Sequence, residues 1–159
     1  MRIRISEAIK TLKIKVDTLQ KLYRKRASVA YVTYTEGSEP IEPEQTIQEV
    51  EAEISTLKAE IITLRAALAK ANIETKNATG SNINKLLIEL AQMKSDLNFY
   101  SKAESAEAKT RKTGYSGTTI TEARFKIKTA SKIAESLRKD IMETQMEIDT
   151  LNLTTYIEV

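Results

Sequence analysis

Residues 47–71 read IQEVEAEISTLKAEIITLRAALAKA. Ile47, Val50, Ile54, Leu57, Ile61, Leu64, Leu68 and Ala71 fall at alternating steps of three and four. That spacing keeps one apolar stripe on a single side of an α-helix, the pattern by which long helices pack knobs into holes. The helix is expected to begin near Pro43, a residue suited to the first helical turn, with Glu42, Glu44 and Glu49 favouring the positive end of its dipole. From 43 to 71 it would be roughly 43 Å long at 1.5 Å per residue.

A matching seam runs through Ile83, Leu86, Leu90, Met93, Leu97 and Tyr100, behind a polar connector in which Gly80 breaks the chain and Ser81 or Asn82 can cap. Toward the N-terminus, Ile5, Ala8, Ile9, Leu12, Val16, Leu19 and Tyr23 mark an amphipathic helix ending near the cations Arg24, Lys25 and Arg26. A last helix carries Ala130, Ile133, Ala134, Leu137, Ile141, Ile148 and Leu151. The fold class expected is mostly α: one domain over residues 1–159, an antiparallel bundle of long helices built as a coiled-coil-like hairpin. Two short stretches have strand character. SVAYVTYTE (28–36) is rich in β-branched and aromatic residues, and Ala123, Phe125 and Ile127 alternate with Arg124, Lys126 and Lys128, so a small two-stranded element pairing 28–36 with 119–128 is a further expectation.

The chain has no cysteine and no histidine, which removes thiolate nucleophiles, imidazole bases, disulfides and the usual zinc ligands. Carboxylate pairs at helical spacing remain, Glu49/Glu53, Glu104/Glu107 and Glu143/Glu147, but such pairs are ordinary on solvated helix faces and no phosphate loop or hydrolase elbow accompanies them. No catalytic residue, cofactor or metal site is therefore expected. The basic N-terminal stretch lacks the apolar centre of a signal peptide or membrane span, and the expected location is cytoplasmic, without a membrane partner.

The net charge of +3 conceals blocks. Residues 1–26 hold nine Lys/Arg against two acids, and 36–60 hold eight Glu against one Lys. Residues 102–139 hold ten cations against four acids, and 140–159 hold five acids and no cation. Alternating blocks attract one another within or between chains more readily than they form one nucleic-acid footprint, so nucleic acid is not the expected partner and another copy of the chain is.

One segment has the inventory of a site. KTRKTGYSGTT (109–119) concentrates three cations, six hydroxyl side chains and two of the four glycines. Lys109, Arg111 and Lys112 supply charge, Tyr115, Ser116, Thr118 and Thr119 supply hydroxyls, and Gly114 and Gly117 allow backbone N–H groups to approach an anion. Arg24, Arg26, Tyr31, Tyr34, Arg124 and Lys126 join this region if the two extended segments pair. The ligand-binding set expected is Arg24, Arg26, Tyr31, Lys109, Arg111, Lys112, Tyr115, Ser116, Thr118 and Arg124, holding a small anionic, nucleotide-like molecule in basic pockets at subunit contacts. The other reading of the same segment is a flexible connector in a structural or adaptor assembly with no small-molecule ligand.

The order of elements, with Glu42-Pro43-Glu44 at a helix start, Asn72 and Thr75 at its end, Gly80, the Tyr115-Ser116 turn and the terminal Asn152-Leu153-Thr154-Thr155, resembles small bacterial and phage proteins labelled septicolysin. The resemblance spans nearly the whole chain and implies a mostly helical, self-associating protein. It departs from that pattern where Gly117, Thr118 and Thr119 replace more charged residues, and at Leu153, where the family tends to an aromatic. For a phage-type binder without catalytic groups, the biological expectation is a sponge that sequesters a host immune signalling nucleotide.

Overall fold

The computed structural model describes residues 1–41 and 43–159. Its elements are β1 (Arg2–Arg4), α1 (Ile5–Val29), α2 (Ile47–Glu74), α3 (Ile83–Glu104), β2 (Lys109–Gly114), β3 (Gly117–Glu122), α4 (Ile127–Thr154) and β4 (Tyr156–Glu158). The fold is mostly helical, with two small antiparallel two-stranded sheets, β1–β4 and β2–β3. The chain divides into two compact units, residues 1–75 with 152–159, and residues 76–151.

In the first unit, α1 and α2 run antiparallel. Lys15 meets Glu60 at 2.7 Å and Arg26 meets Glu51 at 3.1 Å, so positions rise on one helix as they fall on the other. The α2 seam supplies the buried side chains Val50, Ile54, Ile61, Leu64, Leu68 and Ala71, and α1 adds Ile5 and Ala8. Six of the eight seam positions read from the sequence are thus buried; Leu57 is half-buried and Ile47, in the first turn, is exposed. The short sheet closes this unit: Ile3 lies opposite Ile157, Arg4 opposite Tyr156, and the Ile5 N–H donates to the Thr155 carbonyl at 3.0 Å. Three-residue strands need such support, and Ile157 finds it by burial.

The α2 start differs from the expectation at Pro43. A reciprocal cap sets it later: the Glu49 N–H donates to Thr46 Oγ1 at 3.3 Å, and the Thr46 N–H donates to Glu49 Oε2 at 2.8 Å. Pro43 and Glu44 precede the helix, and the expected dipole role of Glu42 lies outside the described residues. The expected strand at 28–36 is absent. Helix α1 continues to Val29, and residues 31–41 form no regular element apart from a turn in which the Ser38 N–H donates to the Thr35 carbonyl. The expected pairing of 28–36 with 119–128 does not form either, because β3 takes its ladder partner from β2, its immediate neighbour in sequence, at much lower loop-closure cost.

In the second unit, α3 and α4 are antiparallel, held at one end by Asn77 and Glu147 and nearer the other by Glu104 and Arg138. α3 contributes the buried side chains Ile83, Leu86, Leu90 and Ala103, and α4 contributes Ala130, Ala134 and Ile148. Asn77 organises the entry to α3: its Oδ1 accepts from the N–H groups of Thr79 and Ser81 at 3.1 and 2.7 Å, while its Nδ2 donates to Glu147 at 3.0 Å. Gly80 sits there at φ 83°, and Asn82 Oδ1 caps α3 by accepting from the Lys85 N–H at 2.8 Å. No helix among the described residues is long and apolar enough to cross a membrane.

Two outcomes follow from this packing. Ile54→Ala is expected to cost about 2–5 kcal/mol in denaturant unfolding, whereas Ile62→Ala on the same helix, where the side chain is 68% exposed, should cost less than about 0.5 kcal/mol. Hydrogen bonds from the Thr46 backbone and then its hydroxyl hold the Glu49 carboxyl below its ordinary value of 4.5. A folded value below the unfolded one means that the carboxylate's contribution is full above the unfolded pKa and is lost as pH falls through the folded value. Glu49→Gln should therefore lower stability at neutral pH and flatten its decline below pH 4.5, as followed by circular dichroism across an acid series.

Candidate functional site

The glycine-containing segment is a β-hairpin. Lys109 pairs with Glu122, Thr110 with Thr121, Arg111 with Ile120, Lys112 with Thr119, Thr113 with Thr118 and Gly114 with Gly117, leaving Tyr115 and Ser116 as the turn. The ladder extends one step at the root, where the Ala123 N–H donates to the Ala108 carbonyl at 2.9 Å. Tyr115 and Ser116 keep negative φ, and Gly117 alone takes the left-handed side at φ 122°. It joins a right-handed turn to twisted strands, a position where a side chain is strained.

Strand geometry then separates the cations. Successive side chains of a strand point to opposite faces, so Lys109, Arg111 and Thr113 share one face with Glu122, Ile120 and Thr118, while Thr110 and Lys112 share the other with Thr121 and Thr119. Arg111 and Lys112 consequently do not converge on one anion. Lys109 lies 3.7 Å from Glu122, an exposed pair of the kind worth little in water. Tyr115 stands at the tip, 116% exposed, and every strand residue except the half-buried Thr110 is exposed.

Of the other expected residues, Arg24, Arg26 and Tyr31 belong to the first unit and Arg124 to the second. Arg26 is occupied by Glu51 and lies 5.1 Å from the centroid of the Tyr23 ring, Tyr31 is 86% exposed, and Arg24 is exposed on α1. The other seven expected residues lie in the second unit, Lys109, Arg111, Lys112, Tyr115, Ser116 and Thr118 on the hairpin and Arg124 at its root, spread over both faces and the tip.

A concave feature lies at that root. A groove of about 370 Å³ is lined by Phe99, Tyr100 and Ala103 from the end of α3 and by Phe125, Lys126, Thr129, Ala130 and Ile133 from the start of α4. The Phe99 and Tyr100 rings meet edge to face, with centroids 5.2 Å apart and planes at 82°. Phe99 is 60% exposed and Phe125 42% exposed, a large apolar surface for one short stretch. Charge and hydroxyl enter from the α4 side. The Lys126 carbonyl accepts from the N–H groups of Thr129 and Ala130 at 2.9 and 3.1 Å, so Lys126 opens the helix at the positive end of its dipole. Arg138 ties α4 to the end of α3: the hydrogen bond to Glu104 is the chief cause of its raised pKa, and it also reaches Ser101 Oγ at 3.4 Å.

A second aromatic–cation cluster lies on the outer face of β1–β4. The Arg2 and Arg4 guanidiniums lie 4.9 and 5.7 Å from the Tyr156 centroid, and Arg4 Nε donates to the Tyr156 hydroxyl at 3.3 Å, the main cause of a raised Arg4 pKa. These cations are spent on the ring, which makes the cluster a clasp between chain ends. Among the described residues no group of three His, Cys, Asp or Glu is placed to hold a metal ion.

Residues 10–157, which include the hairpin and the groove, match the model of a family described as of unknown function. The chain belongs to family DUF6847. The DUF6847 match spans the hairpin and the whole groove. No curated protein matches the chain in sequence. Among solved structures, it is similar to a crystal structure of a functionally unknown conserved protein from Corynebacterium diphtheriae, with a TM-score of 0.78 and 16% identity, covering 99% of this chain and 100% of that one. At that identity the two share a fold.

Gly117→Ala tests the hairpin's dependence on its turn. Forcing a side chain into this backbone should cost about 1 kcal/mol locally, so amide exchange across 109–122 is expected to speed several-fold while protection of Leu86 and Leu90 stays unchanged.

Proposed function

We propose that this chain is a non-enzymatic, self-associating protein that binds a small anionic, nucleotide-like ligand in the groove at the hairpin root. The observation that carries the reading is the combination of exposed rings at Phe99 and Phe125 with Lys126 and the α4 N-terminus along one edge. Stacking of a flat base on an aromatic side chain is worth about 1–3 kcal/mol, and a phosphate beside a helix N-terminus meets both unpaired N–H groups and the dipole. The groove volume of about 370 Å³ is in the range that suits small ligands. Arg124, exposed two residues before Lys126, is positioned in sequence to add a second cation. Holding a ligand without turning it over is the work of a carrier, a sensor or a sponge for a signalling nucleotide.

The hairpin supports the alternative of an assembly or adaptor protein. It presents both faces and its tip to solvent, which is the geometry of an arm that engages another macromolecule.

Calorimetric titration with adenosine monophosphate, ADP-ribose and a cyclic dinucleotide, with adenosine as the uncharged control, separates the two. The ligand reading expects micromolar binding of at least one anion, weakened about tenfold by Phe125→Ala and by Lys126→Glu, with adenosine affected by the first substitution only. Absence of binding by all three at micromolar concentrations refutes it and leaves the assembly reading.

A further inference from the structure

We infer that the β2–β3 hairpin of one copy lays its β2 edge along an acidic row on α4 of a second copy. The inference rests on the self-association part of the reading above and is independent of the ligand. Its first support is the state of the hairpin. A two-stranded ribbon is marginally stable alone in water, yet here every strand residue but the half-buried Thr110 is exposed and β2 faces no third strand. Arg111 and Lys112 have no ion-pair partner among the described residues.

The complement is on the same unit. Asp140, Glu143, Thr144 and Glu147 lie on one face of α4 around a shallow hollow. Glu143 has only an exposed, long contact to Lys139 at 3.8 Å, and Glu147 accepts one neutral hydrogen bond from Asn77. No ion pair joins these acids to Arg111 or Lys112 of their own chain. The lengths agree: Lys109 to Lys112 spans about 10 Å of strand at 3.3 Å per residue, and Asp140 to Glu147 spans about 10 Å of helix at 1.5 Å per residue.

The alternation that keeps Arg111 and Lys112 from converging on one small anion suits this contact. Side chains leaving opposite faces of a ribbon laid edge-down straddle a helix, one on each flank. From residue 140 onward the chain carries no cation, and Lys139, just before the row, makes only the long contact to Glu143. The charges steer and register the contact, and salt screens them. Reciprocal placement of both hairpins gives a closed dimer.

The test is sedimentation and light scattering of the full chain at low and high salt, with circular dichroism as the folding control. The wild type is expected to self-associate, more weakly in molar salt. Arg111→Glu with Lys112→Glu, and separately Asp140→Lys with Glu143→Lys, should each raise the dissociation constant at least about tenfold. The chain carrying all four reversals, or an equimolar mixture of the two double variants, should recover wild-type association. Arg111→Gln with Lys112→Gln provides a milder pair should the reversal perturb folding. Association that ignores the reversals, or that the fourfold variant fails to recover while folded, overturns this contact and leaves self-association standing. A monomeric wild type overturns both, and if Arg111 and Lys112 then prove to shift a DNA duplex in a gel, the arm serves nucleic acid instead.

Discussion

Burial of apolar helix seams is the constraint on which the rest of this protein depends. Val50, Ile54, Ile61, Leu64 and Leu68 on α2, with Ile83, Leu86 and Leu90 on α3, supply most of the large side chains removed from water, joined by Ile5, Ile148 and Ile157, each worth about 1.5–3 kcal/mol. No buried polar or charged residue accompanies them among the described residues. The ion pairs lie on the surface and set direction more than stability: Lys15–Glu60 and Arg26–Glu51 mark one antiparallel pairing, and Glu104–Arg138, together with the Asn77–Glu147 hydrogen bond, marks the other.

The seams also determine where chemistry can reside. Once Leu86, Leu90, Ala130 and Ala134 are committed to the interior, Phe99 and Phe125, at the ends of the two helices, have too little neighbouring apolar surface to be covered. The groove arises at this fraying of the seam, where a connector of 22 residues leaves α3 and returns at α4. Lys126 occupies the return point because a helix must begin there, and the exposed rings and the cation come together as a by-product of ending one helix and starting another.

The helices were legible in the sequence because each is long and carries a three-four repeat that no strand can use. The caps at Asn82 and the break at Gly80 were legible for the same local reason. Pairing between strands was not. Residues 28–36 have strand composition, yet composition does not name a partner, and with none available Val29 ends a helix instead. KTRKTGYSGTT was legible as a special segment but not as a ladder, since six hydroxyl side chains and two glycines read equally as a loop. The β1–β4 clasp was missed because its halves lie at opposite ends of the sequence; the signal present was the alternation Arg2-Ile3-Arg4 against Tyr156-Ile157-Glu158, two matching period-two patterns too short to stand out. The groove was missed because Phe99 and Phe125 are separated by the hairpin, and only the return of α4 brings them together.

The two edges of the hairpin are unlike each other. Along β2, Lys109, Arg111 and Lys112 place charge on three of six residues, and like-charged edges do not zip together. Along β3, Gly117 to Thr121 carries no charge and consists largely of β-branched residues, with Glu122 as the one acid at its end. Protection against strand addition is therefore one-sided. When the chain is crowded or partly unfolded, misassembly has a preferred entry point along Thr118–Thr121, and a single lysine there would guard the protein's solubility without touching a buried residue.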